Sequence, residues 1–242
     1  IVISQFLFKL YINMNNSRKK QVHIKAGDKK AIEKMVKKSK VDLNARMPNE
    51  DFTPVIYAAE FSGSTEDEPG IALKIFVNNH SQWSIDFNAQ EKDKWNALMM
   101  SALYGKVGNV KLLLDKSEEL HLDLNAVNKY DKTALMIACQ SSNPQVIPPF
   151  LECAKGRDIK VNAKDYFDRS AFFIACETTA EDNKIERLEI MMKFAKDLDM
   201  DLMARKREDK TGFHELSLET RQELREKFPD LVPDEETLFS KK

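Results

Sequence analysis

VDLNA at 41–45, IDFNA at 85–89, LDLNA at 122–126, KVNA at 160–163 and DLMA at 201–204 are one element written five times. Their closing alanines, Ala45, Ala89, Ala126, Ala163 and Ala204, recur after 44, 37, 37 and 41 residues. Spacing of this kind marks a repeat array, in which each unit buries its apolar face against its neighbours. Seven or eight residues beyond each alanine stands a Thr or its substitute, Thr53, Asn96, Thr133, Ser170 and Thr211, so a second period runs in step with the first.

Behind these positions lie short segments ending in small residues: TPVIYAA at 53–59, NALMMSA at 96–102, TALMIAC at 133–139, SAFFIAC at 170–176 and TGFHELS at 211–217. Small side chains let helices of successive repeats approach closely. A second apolar set follows in each unit: Leu73, Phe76 and Val77; Val110, Leu113 and Leu114; Ile147, Phe150 and Leu151; Leu188, Met191 and Met192. The i, i+3, i+4 spacing is one face of a helix. From the last member of each set to the closing alanine is 12 residues in all four cases. The unequal periods therefore arise in the turn between the two helices, where the first repeat carries six extra residues and the fourth carries four. The first insert, in FSGSTEDEPG at 61–70, is acidic and turn-rich and is expected as an exposed loop.

These units resemble the ankyrin repeat family. TPVIYAA is similar to the family's T-P-L-H-x-A-A, the DLNA elements to its hairpin-leading D-V-N-A, and SALYGKVGNVKLLLD at 101–115, with Gly105 at the inter-helix turn, is the nearest match. The resemblance implies an all-α ankyrin-repeat solenoid of about four full repeats plus N- and C-terminal capping half-repeats, spanning residues 21–228 as one domain. The N-terminal cap is expected as a helix over 28–39, with Ile32, Met35 and Val36 facing the stack. The C-terminal cap is expected over 213–228, followed by an acidic, proline-broken, loosely held tail at 229–242.

The chain departs from the family in four ways. The family's His is replaced by Ile56, Met99, Met136 and Phe173 and survives at His214, so its bond to the Thr is expected there alone. The turn Gly is replaced by Asp51, Lys94, Asp131, Asp168 and Asp209; Asp accepts a positive φ better than most residues, and Lys does not. Each second helix or its exit runs about three residues longer than the family norm. Pro148 and Pro149 sit near the start of the third repeat's second helix, which is expected to be shortened or distorted.

Composition agrees with a folded soluble chain: of 242 residues, 42% are hydrophobic and 32% charged, with 38 Lys+Arg against 39 Asp+Glu. Near-neutrality argues against nucleic-acid binding, which needs clustered basic excess. Cys139, Cys153 and Cys176 form no CxxC pair and no even framework, so reduced thiols in the cytoplasm, with the nucleus as a second location, are expected. Residues 1–20 read as an N-terminal extension; its apolar run 1–13 is either upstream sequence or a fragment end, or else the remnant of a signal or membrane anchor. No other segment approaches membrane-spanning length.

Chemistry-bearing motifs are missing from the sequence: there is no phosphate-binding loop, dinucleotide fingerprint, HExxH or GxSxG, and the four histidines share no ligand spacing. No catalytic, cofactor-binding or metal-binding residues are therefore assigned. Cys139 and Cys176 lie one repeat apart at equivalent positions and read as buried small residues, with a redox-sensitive pair as the alternative. Arg18 to Arg46 holds eleven Lys or Arg, whereas 47–90 holds seven acidic residues against Lys74. That basic stretch reads as a solubilising cap, or as a steering or nuclear import element.

In the ankyrin family the hairpin tips and first helices form a concave partner-binding face. The resemblance puts Phe52, Trp95, Tyr130 and Phe167 at the fingers and Phe61, Leu103 and Tyr104 along the inner helices, with the centre at Trp95 and Tyr104. Aromatic anchors dominate protein interfaces. Lys132, Arg169 and Lys210 stand in later repeats where Phe52 and Trp95 stand earlier, a gradient suited to a partner with an acidic end. The expected function is a non-enzymatic scaffold or adaptor for a protein partner, or alternatively an inhibitory or regulatory subunit that masks a signalling protein or transcription factor.

Overall fold

The computed structural model describes residues 42–46, 51–61, 64–66, 68–178, 183–206 and 210–239. The expected cap helix at 28–39, the extension at 1–20 and Asp209 lie outside the described residues. The chain divides into two compact units, Ile1–Ser101 with Lys106–Asp123, and Ala102–Gly105 with Leu124–Lys242. Among the described residues the secondary structure is helical apart from two isolated bridges, Val127 to Thr133 and Arg205 to Thr211.

In the first unit, α1 (Pro54–Phe61) packs on α2 (Ile71–Asn78), which is followed by the single turn α3 (His80–Trp83). Then come α4 (Ala97–Leu103), whose last two residues group with the second unit, and α5 (Val107–Asp115), which packs on α2. The second unit continues with α6 (Ala134–Ala138), α7 (Ile147–Ala154), α8 (Ala171–Glu177), α9 (Lys184–Ala195), a 3₁₀ turn at Gly212–Glu215, α10 (Leu218–Lys227) and α11 (Glu235–Phe239). There α8 packs on α6, α9 and the 3₁₀ turn, and α9 on α7 and α10.

The recurring Thr position turns out to be a helix cap. Thr53 Oγ1 accepts from Ile56 N, Asn96 Oδ1 from Met99 N, Thr133 Oγ1 from Met136 N and Ser170 Oγ from Phe173 N, at 2.9–3.4 Å. Each satisfies an amide that the first turn of a helix leaves unpaired. At Thr211 the family's bond survives, with Thr211 Oγ1 and His214 Nδ1 2.9 Å apart. The small residues behind the caps are buried: Ala58, Ala59, Ser101, Ala102, Ala138, Cys139, Ala175 and Cys176 are all no more than 2% exposed. All twelve members of the second-helix apolar sets are equally inaccessible. Burial of such side chains contributes about 1.5–3 kcal/mol each.

The left-handed turn is kept whatever residue occupies it: Asp51, Lys94, Asp131 and Asp168 have φ between 55° and 64°. Lys94, the poorest candidate by chemistry, is held by its N–H bond to Glu91 O at 2.8 Å. The prolines at 148 and 149 fall in the first turn of α7, where a missing N–H costs nothing, and a separate 3₁₀ turn at Pro144–Val146 precedes them.

The acidic insert of the first repeat is exposed at Thr65, Glu66 and Glu68, yet it is tied down. Buried Asn109 accepts from Gly70 N at 2.7 Å and donates to Ala59 O at 3.2 Å, and Gly108 N donates to Thr65 O at 2.8 Å. A Cβ on Gly108 would lie 2.4 Å from the Glu68 carbonyl, so only glycine fits under the loop.

The C-terminal end differs from expectation twice. The segment 213–228 is a 3₁₀ turn and a separate helix, because Ser217 breaks the first and caps α10 by accepting from Thr220 N at 3.1 Å. The tail is docked as far as Phe239: Val232 and Leu238 are buried, Arg221 forks onto both oxygens of Glu235 at 2.8 and 3.1 Å, and Phe239 meets His214 edge-on. Two apolar residues and one bidentate ion pair hold a segment whose prolines and charge suggested a loose end.

Candidate protein-binding surface

The fingers are built on one buried acceptor per hairpin. Glu91 Oε1 accepts from Asp93 N and Trp95 N, Asn128 Oδ1 from Tyr130 N and Lys132 N, and Asp165 Oδ1 from Phe167 N and Arg169 N, all at 2.8–3.1 Å. The backbone closes each loop with Glu91 N to Trp95 O, Asn128 N to Lys132 O and Asp165 N to Arg169 O. All three side chains are at most 7% exposed. A carboxylate or amide oxygen with two lone pairs can take two amides at once, which is why the position tolerates Glu, Asn and Asp.

The asparagine of the pentapeptide ties one repeat to the next. In the first unit Asn44 Nδ2 donates to Ser84 O while its Oδ1 accepts from Asp86 N, and Asn88 does the same with His121 O and Asp123 N. In the second unit Asn125 bridges Asp158 O and Lys160 N, and Asn162 bridges Asp199 O and Asp201 N. All eight bonds measure 2.6–2.8 Å. Ser84, His121 and Asp199 adopt a positive φ, which turns their carbonyls to the amide.

On this scaffold the expected contact residues divide by exposure. Tyr104, Tyr130 and Phe167 are 45–49% exposed, and Phe61 is 39% exposed and tilted by 34° against Tyr57, with ring centres 4.4 Å apart. Phe52, Trp95 and Leu103 are half-buried. Tyr166, which the sequence reading passed over, is 55% exposed, meets Phe167 edge-on at 5.2 Å, and donates its N–H to Tyr130 O at 3.0 Å. It stands 37 residues after Lys129, a position where no aromatic precedes it, so the repeat pattern gave no signal.

The basic row of the later repeats is uneven. Arg169 is neutralised within the fold: it bonds Asp165 Oδ2 at 2.7 and 3.0 Å and Glu177 through its other terminal nitrogen, and its guanidinium lies 4.9 Å from the Phe167 ring centre. Burial alone would lower its pKa, but the Asp165 and Glu177 carboxylates outweigh that and raise it. Lys132 bonds the neutral Gln140 Oε1 at 2.8 Å. Its pKa is lowered by burial and by the Arg169 charge, against the pull of Asp165 and Glu177.

Residues 67–165 match the family model for ankyrin repeats, in three copies. The protein contains ankyrin repeats. No curated protein matches the chain. Ankyrin repeats imply protein partners, and neither an enzyme family nor a metal-binding group of three or more His, Cys, Asp or Glu is found among the described residues. No helix among those residues is long and apolar enough to cross a membrane.

Of the cysteines, Cys139 and Cys176 are fully buried, and Cys139 Sγ lies 3.6 Å from Met191 Sδ. Burial pushes the Cys139 thiol up to about 12, against a small opposing pull from Arg187, and pushes Cys176 well above its ordinary value. Neither thiol has the thiolate character that reactivity needs.

Proposed function

We propose that this ankyrin-repeat protein is a non-enzymatic scaffold or adaptor that binds a protein partner along the hairpin tips and first helices. The observation that carries the reading is the exposure of Tyr104, Tyr130 and Phe167 on a framework whose other large apolar side chains are mostly inside. Tyrosine and phenylalanine on rigid supports make interface contacts at low entropic cost. The proposed contact residues are Phe52, Phe61, Trp95, Leu103, Tyr104, Tyr130 and Phe167, and the exposure of Tyr166 adds it to them. Free thiols at 139, 153 and 176 support the cytoplasm, with the nucleus second, as its place of work.

Affinity purification from native extract tests the reading. Several substoichiometric partners are expected of an adaptor; a single stoichiometric one would favour a regulatory subunit instead. Trp95→Ala and Tyr104→Ala are each expected to weaken partner binding by about 1–2 kcal/mol without lowering the unfolding midpoint in proportion. Changes within about 0.5 kcal/mol for both would remove those two residues from the site. Intrinsic turnover by the pure chain would overturn the scaffold reading.

A further inference from the structure

Two hairpins of the second unit carry the same two-residue frame 37 residues apart: Lys132 with Gln140, and Arg169 with Glu177. In the second of them the cation is answered twice, by Glu177 at the end of α8 and by Asp165 Oδ2 in the hairpin itself. In the first, both answering positions are neutral. Gln140 stands where Glu177 stands, and Asn128 where Asp165 stands. Asn128 Oδ1 is used by the hairpin amides, and the atom that corresponds to Asp165 Oδ2 is its Nδ2, a buried donor without an acceptor. Among the described residues no carboxylate lies within ion-pair distance of the Lys132 ammonium, which donates to Gln140 Oε1 at 2.8 Å.

We propose that Lys132 receives a carboxylate from the partner, an acidic residue of a peptide segment whose apolar neighbours contact Tyr130, Tyr166 and Phe167. The proposal rests on the protein-binding reading above and names the chemistry of what is bound. Lys132 is half-buried, so its ammonium has lost part of its hydration while Asp165 and Glu177 act on it only from beyond ion-pair distance, and a partner carboxylate in direct contact restores the balance. Arg169 cannot play that part, because its fork is already occupied by two carboxylates. The three flanking rings are 45–55% exposed, and the Tyr166 to Tyr130 backbone bond holds two of the fingers in fixed register. Of these two equivalent cations, discrimination for an acidic residue thus sits at Lys132 and not at Arg169.

The test uses a random peptide library displayed on phage and selected on the full chain. Selected peptides are expected to carry Asp or Glu beside a bulky apolar residue. Synthetic copies are expected to lose about five- to thirtyfold in affinity when that acid is changed to its amide, when Lys132→Gln is introduced, or when Gln140→Glu is introduced. Gln140→Glu is the decisive variant, since it keeps Lys132, is exposed in the fold, and supplies internally the carboxylate that Arg169 already has. It is also expected to raise the Lys132 titration, followed by NMR of labelled lysine. Peptides that bind both protein variants as tightly as wild type, or that carry no acid, would overturn this inference and leave the protein-binding reading standing. A chain that retains no peptide at all would overturn both.

Discussion

Asn88 Nδ2 donates to the carbonyl of His121 at 2.7 Å, 33 residues further along, while Asn88 Oδ1 accepts from Asp123 N at 2.8 Å. One amide thereby fixes the register of two consecutive repeats, because only a side chain with a donor and an acceptor a fixed distance apart can satisfy both atoms. Asn88→Ala is expected to destabilise the first unit by about 1–3 kcal/mol. Asn88→Asp, nearly identical in size, is expected to fail as well, since it sets a carboxylate oxygen against a carbonyl. Urea midpoints of the two variants check this: a neutral Asn88→Asp would show that the bonds carry no stability.

Leu113 is fully buried in α5, on the face that packs against α2. Leu113→Ala removes apolar contact and leaves a cavity, and it is expected to cost about 2–5 kcal/mol. An unchanged denaturation midpoint would show that this face does not stabilise the repeat.

Gly108 lies beneath the acidic insert, where a Cβ would collide with backbone rather than with a flexible side chain. Gly108→Ala is expected to lift the insert from α5 and expose the Gly70 amide, now bonded to Asn109. Hydrogen exchange at Gly70 and cleavage within the insert by an acid-directed protease should both accelerate. Protection equal to wild type would mean that the loop is held by something other than this close approach.

The buried thiols make the upper pH limit predictable. Cys139 titrates near 12 in the fold against 9 for a free thiol, so both states hold the proton below about 9 and the full stability is present there. Between 9 and about 12 the unfolded chain releases a proton that the folded chain keeps, and stability falls as pH rises. Cys176 acts in the same direction. At pH 8 a thiol reagent should modify the half-buried Cys153 first, with Cys139 and Cys176 following at the rate of unfolding. Replacing both buried cysteines by alanine should flatten the alkaline decline; an equally steep decline would assign it to other groups.

The helical plan was readable because it depends on residue type at a fixed interval: Leu73, Val110, Ile147 and Leu188 announce one face, and each is 0% exposed. The bonds between repeats were less readable. Asn44, Asn88, Asn125 and Asn162 stood in plain view within the pentapeptide, but their partners lie 33–42 residues away and are backbone atoms, which leave no trace in sequence. Glu91, Asn128 and Asp165 escaped notice because they share an oxygen and not an identity. Tyr166 was missed for want of a repeating counterpart, and the docked tail because Val232 and Leu238 are too few to make a pattern.

The doubly bonded asparagines also set how the molecule ages. Deamidation requires the backbone nitrogen of the following residue to attack the side-chain carbonyl carbon, and the amide must rotate for that approach. With Nδ2 and Oδ1 both engaged, at Asn125 by Asp158 and Lys160 for instance, the rotation is blocked while the repeats stay together. Opening of a repeat frees the amide, and its conversion to a carboxylate removes the donor needed to close again. Transient openings would therefore be written into the chain as permanent chemical change, so the stability of each junction governs its shelf life.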